Sequence, residues 1–352
     1  MATGTYSIDT LLAARFTSAK EFGLDNIAEI LNAELAAHNA LVGEALTEMA
    51  EPTTDAQSVY GSSVGGNMVE VDEFGSAPSQ RATPGSTVGF PLKLKQYNLG
   101  WTERFLLRAT PADLAIMTRN AQVAHQRALM ADMKRAIYGS SNYTFTDHLV
   151  DNIAITVRRF LNADGEAIPA GPNGEIYDGA SETHYVANST LTAAKLKEVI
   201  VNVIEKGHGS NVKVAISTTD ETAVRNLTGF VAYIDPRHTH NANTNEGVPR
   251  LDVTRVDNRA IGTFEGAEVW VKPWAIANYA FAWDAGAAGK PLKYRQDRVQ
   301  GLQGLRIAAE NSSYPLYARF MEASFGFGVW TRTNGSVLYF GGASYTDPTI
   351  TG

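Results

Sequence analysis

The segment Asp235-Pro236-Arg237-His238-Thr239-His240-Asn241 holds the spacing best suited to chemistry, an H-x-H in which two imidazoles on extended backbone can share a metal ion. A third ligand would have to come from elsewhere, and the Asn-rich run around it reads as a polar loop. A metal-dependent enzyme built on His238 and His240 is therefore the remote reading. Gly61-Ser62-Ser63-Val64-Gly65 spells the nucleophile elbow G-x-S-x-G, which needs a buried strand before the serine and a helix after it. Neither pattern flanks it, so the match reflects a Gly/Ser-rich composition. Asn162-Ala163-Asp164-Gly165-Glu166 places oxygen ligands beside a turn glycine without the spacing of a calcium loop. Gly207-His208-Gly209 follows a helix, whereas a dinucleotide fingerprint follows a strand. His38, His125, His148 and His184 have no nucleophile or carboxylate at readable spacing and read as surface or satisfied interior residues. The sequence thus offers no catalytic residue, no cofactor site and no metal site to assign.

The elements that must position any site follow from periodicity and punctuation. Residues 25 to 50 read as an amphipathic helix with Ile27, Leu31, Leu35, His38, Val42, Ala45 and Met49 on one face, ended by Glu51-Pro52. It is either a core helix of its own domain or an arm that packs on another subunit. From Thr53 to Gly100 the chain is dense in Gly, Ser, Thr and Pro, and two alternating runs, Asn67 to Glu73 and Val88 to Tyr97, predict a long hairpin. One strand is acidic (Glu70, Asp72, Glu73) and the other basic (Lys93, Lys95). Two strands with no third layer are marginal in water, so a partner must cover such a hairpin or it stays disordered. Thr110 as N-cap, Pro111 at N1 and Asp113 at N3 open a helix of nearly thirty residues that Gly139 stops.

Residues 140 to 190 read as an elaborated loop containing a strand over Ile153 to Phe160 and a turn at Asn162 to Gly165. A helix over Leu191 to Lys206, a buried strand over Val212 to Ser217 and a short helix over Asp220 to Leu227, capped by Thr218 or Thr219, predict a small α/β layer. Strands follow at Leu251 to Val256, Glu268 to Val271, Tyr279 to Trp283, Gly304 to Ile307, Ala318 to Val329 and Ser336 to Tyr339. The class is α+β.

Charge is polarised along the 352 residues. The 30 basic and 37 acidic residues give a net of −7, yet eleven acids and no base lie between Lys20 and Arg81. Such asymmetry suits copies in which an acidic segment lies on a neighbour's basic one, and a nucleic-acid reader would usually be basic overall. The run Lys290, Lys293, Arg295, Arg298 and Arg306 reads as a protein-facing patch. There is no cysteine, the N-terminus lacks the pattern of a secretory signal, and no apolar stretch approaches membrane-spanning length.

Acidic helix arm, unsupported hairpin, spine helix, α/β layer and strands returning to a Gly-rich end are, in this order, similar to the major capsid proteins of tailed bacteriophages, the Hong Kong 97 fold. Local texture agrees in Asn211 to Asp220 followed by Asn226 to Phe230, and in Gly262 to Val269 leading to Pro273. The resemblance implies a Hong Kong 97-like α+β capsid fold. Residues 1–52 are the N-terminal arm and 53–102 an E-loop lying over the adjacent subunit. Residues 103–210 are the P-domain, with spine helix 110–139 and insertion 140–190. Residues 211–300 are mainly A-domain, and 301–352 are return strands of the P-domain.

The same resemblance implies a shell of hexamers and pentamers that encloses double-stranded DNA in the virion, made in the host bacterial cytoplasm, with no membrane association. A scaffolding protein, a portal and cement proteins are the implied partners. An encapsulin-type nanocompartment is the alternative on the same fold. The expected inter-subunit pairing sets Glu70, Asp72 and Glu73 against Lys293, Arg295 and Arg298, with Lys93 and Lys95 on the basic side of the hairpin.

Overall fold

The computed structural model describes residues 18–60, 68–76, 85–150, 152–233, 258–313 and 315–351. His238, His240, the Gly61 to Gly65 motif and the strand expected over Leu251 to Val256 lie outside them.

The spine helix runs Pro111–Tyr138, 28 residues and hence about 42 Å at 1.5 Å per residue. Its start follows the sequence signal: the Asp113 carboxylate accepts the Thr110 backbone N–H at 2.8 Å and the Thr110 hydroxyl at 3.0 Å. At its end, a Cβ on Gly139 would press on the Arg135 carbonyl oxygen at 2.7 Å. Leu114, Ala121, Leu129, Met133 and Ile137 are buried, and the helix packs along the strand Leu316–Val329. That strand has 14 residues, about 46 Å at 3.3 Å per residue, so helix and strand match in length. One of its edges pairs with Lys93–Thr102, the other with Arg306–Ser313 and Leu292–Gln296, and Ala50–Thr53 joins beyond as a parallel edge strand.

Three expectations are corrected by this sheet. Lys93–Thr102 belongs to the core, with Lys93 opposite Phe325, instead of forming one side of a free hairpin. The hairpin that exists pairs Gln57–Tyr60 with Ser86–Gly89, and residues 68–76 run as exposed irregular chain where a strand was expected. The arm helix is Leu24–Leu46, and Pro52 sits in the edge strand Ala50–Thr53, a position that tolerates its missing N–H.

The arm helix packs on the spine helix of its own subunit and buries Ile27, Leu31, Leu35 and His38. Of the two placements open for residues 25 to 50, it takes that of a core helix. Part of the acidic segment is also neutralised within the chain, since Glu48 bridges Lys213 at 2.8 Å and Lys272 at 3.0 Å.

A seven-stranded mixed sheet forms the second core, in the spatial order Tyr185–Ala187, Ser336–Tyr339, Tyr279–Asp284, Val212–Ile216, Ala267–Val271, Arg259–Phe264, Phe230–Ala232. Helix Ala193–Ile204, capped by the Thr192 hydroxyl, lays Leu196, Val199, Ile200 and Val203 against Val214, Val269 and Ala280. Gly207 ends it at φ +90°. The next short helix begins as a 3-10 turn, Thr218–Asp220, continues over Glu221–Arg225, and is capped by Ser217 instead of Thr218 or Thr219. Gly262, which reads as punctuation in the sequence, lies inside a strand because a Cβ there would overlap the Val231 carbonyl. Sheet membership crosses the boundary expected at residue 300: Leu292–Gln296 lies in the first sheet and Ser336–Tyr339 in the second.

Candidate inter-subunit interface

The base of the Gln57–Tyr60 and Ser86–Gly89 hairpin is anchored within its own subunit. Tyr60, Val88 and Phe90 cluster with Trp330, and the Tyr60 and Thr333 hydroxyls lie 2.9 Å apart. The antiparallel pair Tyr143–Asp147 and Ile153–Val157, inside the segment 140–190, lies beneath it: a Cβ on Gly89 would meet the Thr156 carbonyl at 2.9 Å. Arg158 adds a hydrogen bond from Nε to the Thr87 carbonyl at 3.0 Å. This gives the hairpin base the second layer that two strands need. Farther on in the same segment, Asp164 is held by Arg332 at 2.8 Å and Arg158 at 3.0 Å, so the oxygen-rich turn at Asn162 to Glu166 is an arginine-bound loop.

Beyond that base, residues 68–76 are exposed. Phe74 is 90% exposed, and Met68, Val69 and Val71 are exposed beside it. Glu70, Asp72 and Glu73 are exposed and form no ion pair among the described residues; Asp72 accepts the backbone N–H of Phe74 at 3.1 Å. Exposed apolar residues clustered in one short stretch mark a binding surface more often than scattered ones do.

The cations assigned from sequence take different places. Arg295 is 0% exposed; one terminal nitrogen lies 2.6 Å from Asp147 and the other donates to the Phe90 carbonyl at 2.8 Å. It is committed inside its own subunit and cannot reach an acidic loop on a neighbour. Lys293 is half-buried with its ammonium 4.0 Å from the centre of the Trp330 ring. Lys95 pairs with Asp132 of the spine helix at 2.7 Å, and Lys93 is half-buried nearby. Arg298 is exposed.

The sequence reading missed the outer face of the spine helix. Ile116, Val123 and Met130, each seven residues apart, are exposed in line, flanked by exposed Arg119 and Arg127 and half-buried Lys134. Val123, Arg127, Met130 and Lys134 also line a groove of ≈ 450 Å³ closed on its far side by Trp274 and Thr351. A heptad count outward from Ile116 would have found this stripe.

Among the described residues, no group of three or more His, Asp or Glu could hold a metal, and no helix is long and apolar enough to cross a membrane. Two histidines that read as unpaired meet inside the subunit: His38 Nε2 lies 3.0 Å from His125 Nδ1 where the arm and spine helices cross. His184 is fully buried on the Gly335 carbonyl at 2.7 Å, and His148 is exposed beside Asn152.

No family model matches the chain, and no curated protein matches it. Solved structures do. A chain of Mycobacterium phage Patience superposes with a TM-score of 0.67 at 17% identity, covering 99% of this chain and 96% of that one. The capsid of a native GTA particle follows at TM-score 0.48 and 15% identity, over 84% of this chain and 90% of that one. The encapsulin complex of Synechococcus elongatus gives 0.42 and 11%, over 86% and 88%. The protein has the Hong Kong 97-like fold of phage capsid subunits.

Proposed function

We propose that the protein is the major capsid protein of a tailed bacteriophage, assembling as hexamers and pentamers into an icosahedral head around double-stranded DNA. The observation that carries this reading is the end-to-end correspondence with the phage Patience chain, which leaves almost no part of either chain unmatched. In this reading the E-loop is the part of residues 53–102 that precedes the core strand Lys93–Thr102, the spine helix backs the P-domain, and the seven-stranded sheet is the A-domain.

In this reading the exposed loop 68–76 lies on the spine helix of the adjacent subunit. Its apolar residues cover the Ile116, Val123 and Met130 stripe, and Glu70, Asp72 and Glu73 face Arg119, Arg127 and Lys134. Arg298 is a further cation within this scheme. Single exposed pairs contribute about 0 to 1 kcal/mol, so the effect rests on repetition over the shell. The protein works by assembly, with no catalytic residue, and its place is the virion. A scaffolding protein, a portal and cement proteins complete the head. The negative net charge suits a wall that encloses DNA without gripping it, because a cationic wall would bind by counterion release.

Negative-stain electron microscopy with light scattering on the purified protein, over a range of salt and concentration, tests this. Closed shells or six-fold capsomers are expected. Native particles that lack DNA and hold a cargo enzyme would move the reading to an encapsulin-type compartment. A strict monomer, with or without a scaffold, would overturn it.

A further inference from the structure

Where the last turn of the spine helix meets the strand Lys93–Thr102 lies a pocket of ≈ 160 Å³, lined by Lys93, Asp132, Arg135, Tyr143 and Arg159 among others. Its charge is unbalanced. Asp132 is the only carboxylate in the lining, and it is already paired, to Lys95 at 2.7 Å and to Arg135 at 2.8 Å. Arg159 is 8% exposed, yet among the described residues its guanidinium reaches only the carbonyls of Ser141 and Ala136, each at 3.4 Å. Its centre lies 5.1 Å from the Tyr143 ring. Lys93 is half-buried and makes no hydrogen bond or ion pair among the described residues.

A buried cation without a carboxylate or an anion forgoes the hydrogen bonds that would offset its desolvation. The other buried arginines among the described residues avoid this: Arg295 has Asp147, Arg319 has Glu310 and Arg332 has Asp164. Arg159 has only two long contacts to carbonyls among the described residues, and it lines a pocket with a second cation, Lys93, that makes no hydrogen bond or ion pair among them. Burial, followed by the charges of Lys95, Arg135 and Arg159, holds the Lys93 ammonium below its usual range, against the pull of Asp132.

We propose that this pocket binds one small tetrahedral oxyanion, a phosphate or sulfate group, between Lys93, Arg135 and Arg159. Guanidinium forks suit such oxygens, and Arg135 spends one N–H of one terminal nitrogen on Asp132 and one of the other on the Ile350 carbonyl, which leaves three of its five N–H donors. The phenol of Tyr143 lines the same space and can donate. The pocket is internal to one subunit, so the inference stands apart from the assembly reading.

The test is thermal unfolding of the purified protein in sodium phosphate and in sodium sulfate, against sodium chloride at equal ionic strength. The expected result is a saturable rise in Tm for both oxyanions, on the order of 2 °C at ten times Kd. Lys93→Gln should abolish the rise, and Lys197→Gln, on the far helix, should keep it. If Lys93→Gln does not fold, Arg135→Gln serves, with the same loss expected. A short single-stranded oligonucleotide separates the two sources of phosphate: it reproduces the rise if the site takes a backbone phosphate and fails to if it takes a free ion. A wild-type Tm that follows ionic strength alone, or a response that survives both Lys93→Gln and Arg135→Gln, would overturn the proposal.

Discussion

The imidazole pair between arm and spine helices should make the subunit acid-labile through His125. Burial, then the neighbouring His38 and Lys95, push the His125 ring down to about 4 from its ordinary value near 6.5. Its native form is therefore neutral, packed edge-on against Phe325 and in contact with His38. In the unfolded chain the same ring titrates near 6.5, so on acidification the unfolded state takes up the proton first. Native stability is then intact above about pH 6.5, falls as pH drops, and levels off near pH 4, where both states are protonated. A gap of about 2.5 pH units at 1.36 kcal/mol each corresponds to about 3 kcal/mol lost through this one group. His38 is lowered too, mainly by burial, with the nearby Glu34 opposing. Urea unfolding of unassembled subunits, followed by fluorescence of the buried Trp274 and Trp283, should show the loss between pH 7 and pH 4. His125→Gln keeps a hydrogen-bonding group opposite His38 and takes up no proton, so its loss over that interval should be smaller by about 3 kcal/mol. Identical pH dependence in the two proteins would refute the reasoning.

Arg295→Met should cost about 3 to 5 kcal/mol in urea unfolding, because it strands a fully buried Asp147, while the double change with Asp147→Leu should recover most of that. Gly326→Ala should destabilise by about 1 to 3 kcal/mol and lower the urea midpoint, since its Cβ would overlap the Pro91 carbonyl. Charge reversal of Glu70, Asp72 and Glu73 together should suppress shells in electron microscopy with Tm unchanged, because none of the three is paired within the subunit among the described residues; normal shells would refute the loop pairing.

What could be read from the sequence was local. Thr110, Pro111, Asp113 and Gly139 fixed the spine helix because caps act over one turn, and the period of Leu196, Val199, Ile200 and Val203 fixed the helix over them. Long-range pairing left no such mark. Lys93 to Tyr97 alternates as either a hairpin arm or a core strand would, and its partner, Leu316–Val329, lies at the other end of the chain. Arg295 was misplaced for a related reason: alternation with Leu292 and Tyr294 puts it on an outward face, but Phe90 and the Tyr143–Asp147 strand cover that face as well. The histidine pair did leave a trace. His38 sits in the apolar stripe of the arm helix, and His125 stands one turn from Ala121 on the inward side of the spine helix. Two polar residues on two apolar faces ask for each other, although nothing in the sequence says that those faces meet.

Loop 68–76 and the spine-helix stripe are different patches of one subunit, so a contact between them is heterologous. A heterologous contact repeats from copy to copy until a rotation closes it into a ring, whereas a self-complementary patch would stop at a dimer. Covering the exposed Met68 and Phe74 would contribute roughly 1.5 to 3 kcal/mol each, while association costs about 4 to 15 kcal/mol in lost freedom. One such contact alone therefore holds two subunits weakly. In a closed ring every subunit both gives its loop and receives one, and the final contact forms without a further loss of free motion. Weak contacts that become stable only on closure let misplaced subunits leave, which is what a shell of many identical copies requires.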